Sequence, residues 1–344
     1  MPNSLIKRSF AWLILPLMLT GCTWGDKPAS QAIDPPPTNA KLDAEPVVVK
    51  RAEVKKGRGT ELYFLTDAGY VVPYTVEVPA TKEVAKAAMR LMVKGEAGEQ
   101  MLPAGFEPIL PKNTKIKALN IEEGTATVDF SKEFLNYPAD LEEKVLSAVT
   151  WTLTGFPKVK EVNIWIEGKP LAEMPKKKTP ALRLTRNRGI NLERAEGIDI
   201  SNSMPVTLYF LGQTPDNEVY YVPVTRMVKR TENVAQATLS ELIKGPRQQS
   251  SLSSAIDQTL QVNKVSVNKN MVVADVGEQL LQYSADHRAS KDAVGALVLS
   301  LTENTGLKRV KLTVNGKQNV SVSGSAGDLT KPVMRPEKIN PQSL

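Results

Sequence analysis

The chain has 344 residues, with 44 Lys and Arg against 37 Asp and Glu, for a net charge of +7. That mild basic excess is too diffuse to mark a nucleic-acid binder. One cysteine and one histidine supply neither a disulfide framework nor the multi-ligand nitrogen and sulfur sites that zinc takes, so composition argues against metal and thiol chemistry.

Lys7 and Arg8 precede a ten-residue apolar run, Phe10 to Leu19. A membrane-spanning helix needs about 20 apolar residues and Pro16 would disturb one, so residues 1–21 read as a cleaved export signal. The closing Leu19-Thr20-Gly21-Cys22 resembles the lipobox of bacterial lipoproteins. The resemblance implies cleavage after Gly21 and a diacylglyceryl group on the Cys22 thiol, which leaves a mature chain with two fewer positive charges. Two or more acyl chains, at about 0.8 kcal/mol per buried methylene, hold a soluble domain at a membrane almost permanently. Residues 22–59 continue as a polar, Pro-rich linker (Asp34-Pro35-Pro36-Pro37) that cannot bury enough apolar area to fold. As a flexible coil it spans roughly 35 Å.

Beyond the linker, one unit occurs twice. Glu61-Leu62-Tyr63-Phe64-Leu65 returns as Thr207-Leu208-Tyr209-Phe210-Leu211, Tyr70-Val71-Val72-Pro73 as Tyr220-Tyr221-Val222-Pro223, and Lys94-Gly95 as Lys244-Gly245. Val162 to Lys169 returns as Val310 to Lys317. The shared order and register mark a tandem duplication. In each copy a β-rich run (Leu62 to Leu65) and a turn lead to a second strand over 70–78, where Pro73 suggests an edge. Thr81 is placed to cap a helix whose Ala85, Met89, Met92 and Val93 share one face, as do Ala235, Leu239, Leu242 and Ile243. Gly95 and Gly245 read as left-handed stops. Hairpins at Glu123-Gly124 and Lys269-Asn270 introduce alternating strands (Ala126, Val128, Phe130; Val272, Ala274, Val276). Asp140 starts a second helix carrying Leu141, Val145 and Ala148, and Val162, Ile164 and Ile166 face one side of a last strand.

The order β-β-α-β-β-α-β per unit predicts an α+β fold: two tandem two-layer α/β sandwiches, one sheet layer and one helix layer each. The domains are expected over 60–174 and 206–324, with a connector over 175–205 and a C-terminal tail over 325–344. Ile190, Leu192, Ile198 and Ile200 could dock the connector against one domain.

Candidate chemistry is sparse. Asp129 and Asp275 recur at one register position, as paired acids or cation ligands or, more in keeping with their alternation, as a solvated sheet face. Glu122-Glu123 reads as a hairpin tip. Trp151 reads as core. Trp165 either packs or serves an exposed sheet face as a partner contact, possible sugar stacking included. Lys176 to Lys178 fall short of the usual lipid-binding cluster. His287 is flanked by polar residues, as in a surface loop. No glycine-rich phosphate loop stands between a strand and a helix, so nucleotide binding has no support and no cofactor is expected, and the diffuse charge gives no expectation of nucleic acid.

The lipobox, the linker and the doubled unit together resemble the GerM family, lipoproteins of endospore-forming bacteria with tandem GerMN domains. The likeness is carried by Glu61-Leu62-Tyr63-Phe64, Val149-Thr150-Trp151-Thr152-Leu153-Thr154, Gly189-Ile190-Asn191-Leu192-Glu193 and Tyr220-Tyr221-Val222-Pro223-Val224-Thr225. The resemblance implies a role in sporulation and germination. It also implies a place between the mother-cell and forespore membranes and support of the channel-like complex joining the two cells. It transfers no catalytic residue. The run from Thr81 to Glu167 is also similar to the ring-building motif of secretion-system rings, a likeness of fold that does not fix function. A non-enzymatic, lipid-anchored scaffold for envelope and sporulation proteins is therefore expected. A peptidoglycan-binding envelope protein is the alternative, and a carboxylate hydrolase the more remote one.

Overall fold

The computed structural model describes residues 57–193, 199–281, 287–324 and 328–341. The export signal, Cys22 and the linker up to residue 56 lie outside these, as do Ile198 and the Ile200 side chain. The first repeat runs β1 (Arg58–Thr66), β2 (Val71–Val78), α1 (Val84–Leu91), β3 (Phe106–Glu107), β4 (Ile116–Glu122), β5 (Thr125–Phe130), α2 (Glu142–Leu153), β6 (Glu161–Ile166) and β7 (Lys169–Pro170). The second runs β8 (Ser203–Gln213), β9 (Val219–Lys229), α3 (Val234–Ile243), β10 (Val262–Asn268), β11 (Met271–Val276), α4 (Lys291–Thr305), β12 (Arg309–Val314) and β13 (Val333–Met334).

The element order expected from sequence holds in both repeats, and so does the sandwich of helices on a sheet. β4-β5-β6-β7 and β10-β11-β12-β13 are four-stranded sheets with antiparallel outer pairs and a parallel centre, β5 with β6 and β11 with β12. Inward residues Ala126, Val128, Phe130, Val162 and Ile164 are fully buried, while their neighbours face outward, as a period of two requires.

The opening hairpins do not join these sheets. β1 pairs with β2 and β3, β8 pairs with β9 and through a single bridge at Leu211 with Ser253, and each hairpin packs on the helices. The burial pattern explains why. Leu62 to Leu65 and Val71 to Val76 are buried at successive positions, so both hairpin faces need apolar cover, which a solvated outer strand lacks. The helices are covered on most sides in turn. In α2, Val145, Leu146, Ala148, Val149, Trp151, Thr152 and Leu153 are all buried, which suits a helix held between two layers rather than an amphipathic one on a surface.

Local signals fared unevenly. Glu123 and Gly124 have φ of 48° and 85°, the paired positive values that a two-residue hairpin turn demands. Gly95 and Gly245 adopt left-handed φ of 83° and 76°. Thr81 does not cap α1. Glu83 occupies the N-cap position without a side-chain bond, because the chain stays non-helical until Val84. In the second repeat Asn233 Oδ1 accepts from Gln236 N at 3.0 Å and caps α3. Asp140 lies in a 3-10 turn, Ala139–Leu141, and α2 proper begins at Glu142. Among the described residues no helix is long and apolar enough to cross a membrane.

Candidate functional site

The two hairpins meet edge to edge, with β2 beside β9. Pro73 and Pro223 lie in these edges and lack the N–H that a continuous ladder would need. Two asparagines bridge the gap instead. Asn191 Oδ1 accepts from Val71 N at 2.8 Å, and its Nδ2 donates to Val71 O and Pro223 O, both at 2.7 Å. Asn340 Oδ1 accepts from Tyr221 N at 2.8 Å, and its Nδ2 donates to Tyr221 O at 2.9 Å and Pro73 O at 2.8 Å. Val71 and Pro73 are the repeat equivalents of Tyr221 and Pro223, so the two staples are related by a pseudo-twofold exchange of repeats. Both asparagines adopt φ of 47°, a left-handed conformation that Asn tolerates better than most residues.

The segments bearing the staples cross over. The tail of the first repeat lies along β9, with Thr225 N donating to Ile190 O and Glu193 N to Thr225 O, both at 2.9 Å. The tail of the second lies along β2, with Thr75 Oγ1 donating to Ile339 O at 2.8 Å. Ile190 and Ile339 are buried, whereas Leu192 is 52% exposed, so only one of the two described connector residues expected to dock does so through its side chain. Gly189, at φ 81°, permits this approach: a Cβ there would stand 2.8 Å from the Thr225 side chain. Across the same seam Phe106 packs edge-on against Tyr220 with centroids 4.9 Å apart.

Four residues before the isoleucine of each staple stands an arginine. Arg186 Nη1 donates to Glu303 Oε1 at 2.8 Å, and Arg335 Nη2 to Glu303 Oε2 at 2.7 Å. Arg186 also donates to Trp151 O and Thr154 Oγ1, and Arg335 to the equivalent Leu299 O and Thr302 Oγ1. The guanidiniums lie over Trp151 at 4.4 Å and Tyr209 at 5.6 Å, within cation–π range. Arg186 thus sits on the last turn of α2, where the helix dipole ends negative. Burial pushes the Glu303 carboxyl up, but the two arginines and the Tyr209 hydroxyl outweigh it and hold it below the usual range. Burial raises the Tyr63 and Tyr209 phenols well above theirs. The motif Arg-x-x-x-Ile-Asn (Arg186 to Asn191, Arg335 to Asn340) went unread in the sequence, although its copies stand 149 residues apart, within the register of the other repeats.

Two further charged groups fasten the connector. Arg226 Nε donates to Glu193 Oε2 at 2.6 Å, and its Nη2 to Gly245 O at 2.7 Å. Glu142, fully buried, accepts from Tyr137 Oη, Lys176 N and Lys177 N, each at 2.9 Å. Burial pushes its carboxyl up, but the bond from Thr179, with those from Tyr137, Lys176 and Lys177, outweighs it and holds the group below the usual range. The Lys176 to Lys178 run is therefore a turn wrapped on a carboxylate, with its own side chains in solvent.

The outer sheet faces carry the other sequence candidates. Trp151 is core, 1% exposed. Trp165 is half-buried on the outer face of the first sheet, in an open groove of about 820 Å³ lined by Asn120, Glu122, Glu123, Thr127 and Asp129. Asp129 lies on that face, as alternation requires, and its Oδ1 accepts from Gly168 N at 2.9 Å. Asp275 receives Gly316 N and the Thr313 hydroxyl on one oxygen and Asn263 Nδ2 on the other, which hold its carboxyl below the usual range despite partial burial. Asp129 and Asp275 belong to separate sheets. His287 is exposed. Among the described residues no group of three or more His, Cys, Asp or Glu is arranged to hold a metal ion.

Comparison with known proteins agrees with this duplicated architecture. A family model, Germane, described as "Sporulation and spore germination", matches residues 61–172 and again 207–320. The chain is 34% identical to the spore germination protein GerM of Bacillus subtilis (strain 168), over 95% of each chain. Its fold is similar to the solved tandem GerMN domains of the sporulation protein GerM from Bacillus subtilis. The TM-score is 0.77 at 34% identity, covering 83% of this chain and 100% of that one.

Proposed function

Because the chain belongs to the Germane family of sporulation and spore-germination proteins, we propose that it is a lipid-anchored, non-catalytic scaffold of the sporulating cell envelope. Its place in this reading is the space between the mother-cell and forespore membranes, where it supports the channel complex that joins the two cells. The clasp carries the proposal. Two repeats locked by reciprocal staples and a half-buried Arg–Glu–Arg cluster make a rigid body suited to holding partners in fixed geometry. The lipobox-like Leu19-Thr20-Gly21-Cys22 supplies the anchor, and confinement to a surface strengthens weak contacts by raising local concentration.

The Trp165 groove fits a cell-wall glycan poorly, since its charged lining is all carboxylate, so retention on peptidoglycan should vanish once salt screens the surface charge. The direct test is Cys22→Ala in sporulating cells. The variant should leave the membrane fraction and impair spore formation or germination, as should deletion of the gene. A variant that stays membrane-bound, or that supports normal spore yield and germination after release, overturns the reading.

A further inference from the structure

The duplication provides an internal comparison of the two outer sheet faces. β4–β5 and β10–β11 share one register, bulge included: Ala118 stands opposite Asp129 as Lys264 does opposite Asp275, and Glu122 opposite Thr125 as Asn268 does opposite Met271. Asp129 neighbours Trp165 in the parallel pair, as Asp275 neighbours Thr313. Matched positions can therefore be read one against another.

They have diverged in opposite senses. The groove on the first face holds three carboxylates, Glu122, Glu123 and Asp129, with no basic residue among its lining. On the second face Asn268 and Lys269 replace the two glutamates, and Lys264 replaces Ala118. Asp275 remains, but its oxygens are engaged by Thr313, Gly316 and Asn263. The apolar content has moved as well. The first face presents the large ring of Trp165, and the second presents Met271 and Val273 where the first has Thr125 and Thr127. Lys264 and Lys269 are exposed, and Met271 and Val273 half-buried. Solvation alone requires polar residues on both faces, but it does not require opposite charge, nor an aromatic groove matched by a thioether and a valine.

We infer that the acidic, Trp165-bearing sheet face of one molecule docks on the basic sheet face of a second copy of this chain, first repeat to second repeat. Lys264 and Lys269 meet Glu122, Glu123 and Asp129, and Met271 approaches the indole. The contact is heterologous, so a docked pair still carries one free acidic face and one free basic face, and association propagates head to tail. Three short strands make a patch well below the roughly 800 Å² per partner of a stable dimer. The association is therefore weak in dilute solution and salt-sensitive. It stands on the two faces alone and does not depend on the lipid anchor.

The test places a photo-cross-linking amino acid at position 120 of the full-length protein in sporulating cells. A second, epitope-tagged copy without the cross-linking residue is co-expressed, so that cross-links between copies are distinguishable. Cross-links are expected to map to the 264–273 segment of another copy. Lys264→Glu with Lys269→Glu should lower their yield at least tenfold, and Glu122→Lys with Glu123→Lys in the cross-linking copy should restore it. The substituted positions are exposed and leave folding intact. Cross-links to a different protein, to the first repeat of another copy, or at a yield unchanged by charge reversal each overturn the inference.

Discussion

Asn191 and Asn340 each satisfy three backbone groups on two different strands, so their energetic weight lies in what is stranded without them. Truncation to Ala removes every partner at once and leaves φ at 47° with no side-chain bond to offset the strain. At about 1–3 kcal/mol for an unsatisfied buried group and roughly 1 kcal/mol for the left-handed conformation, each variant should lose about 2–3 kcal/mol in urea unfolding. The pseudo-symmetry predicts near-equal losses. A large loss at one position with none at the other would show that a single staple holds the seam. No local pattern marks these residues, since an Asn in a loop reads as a turn former and its two receiving strands are set by tertiary packing. Only the 149-residue return of Arg-x-x-x-Ile-Asn carried the signal.

At the scale of elements, the connector and the C-terminal tail are equivalent parts, each completing the hairpin of the opposite repeat. Ending the chain after Gly324 removes Asn340, Ile339 and Arg335 together. It should lower the unfolding midpoint and raise amide exchange at Tyr221 and Thr75, which donate to Asn340. Protection at Val71, which donates to Asn191, should persist. Equal loss at all three amides would show that the clasp opens as one unit rather than as two staples. The hairpins show why element order was easier to read than layering. The runs over Leu62 to Leu65 and Val71 to Val76 announce strands, but continuous burial has no period that names its cover. Helices hydrophobic on nearly all sides, such as α2 and α4, were the complementary sign that something besides the sheet lay against them.

For the whole molecule, acid stability depends on Glu303 and Glu142, whose carboxyls are held below their ordinary range when folded. A depressed folded pKa contributes stability above the unfolded value, which is lost as pH falls through the folded one. Stability should be level above about pH 5, near the unfolded glutamate value, and decline progressively below it. Glu303→Gln leaves two guanidiniums facing one neutral amide. It should cost about 3 kcal/mol at pH 7 and flatten the decline below pH 5. An unchanged acid profile in that variant would place the sensitive group elsewhere.

Composition and short-range pattern determined what kind of protein this is: a doubled α+β unit, poor in catalytic and metal-binding side chains, with period-two strands and their turns legible one by one. Those features are local, or repeat at a fixed interval, and so survive in a linear string. Tertiary structure alone decided that the hairpins leave the sheets to cap the helices and that each tail completes the other repeat. It also decided that Glu303 takes an arginine from each tail. Such outcomes depend on which unsatisfied edge and which buried charge find each other in space, and that pairing is a property of the packed molecule.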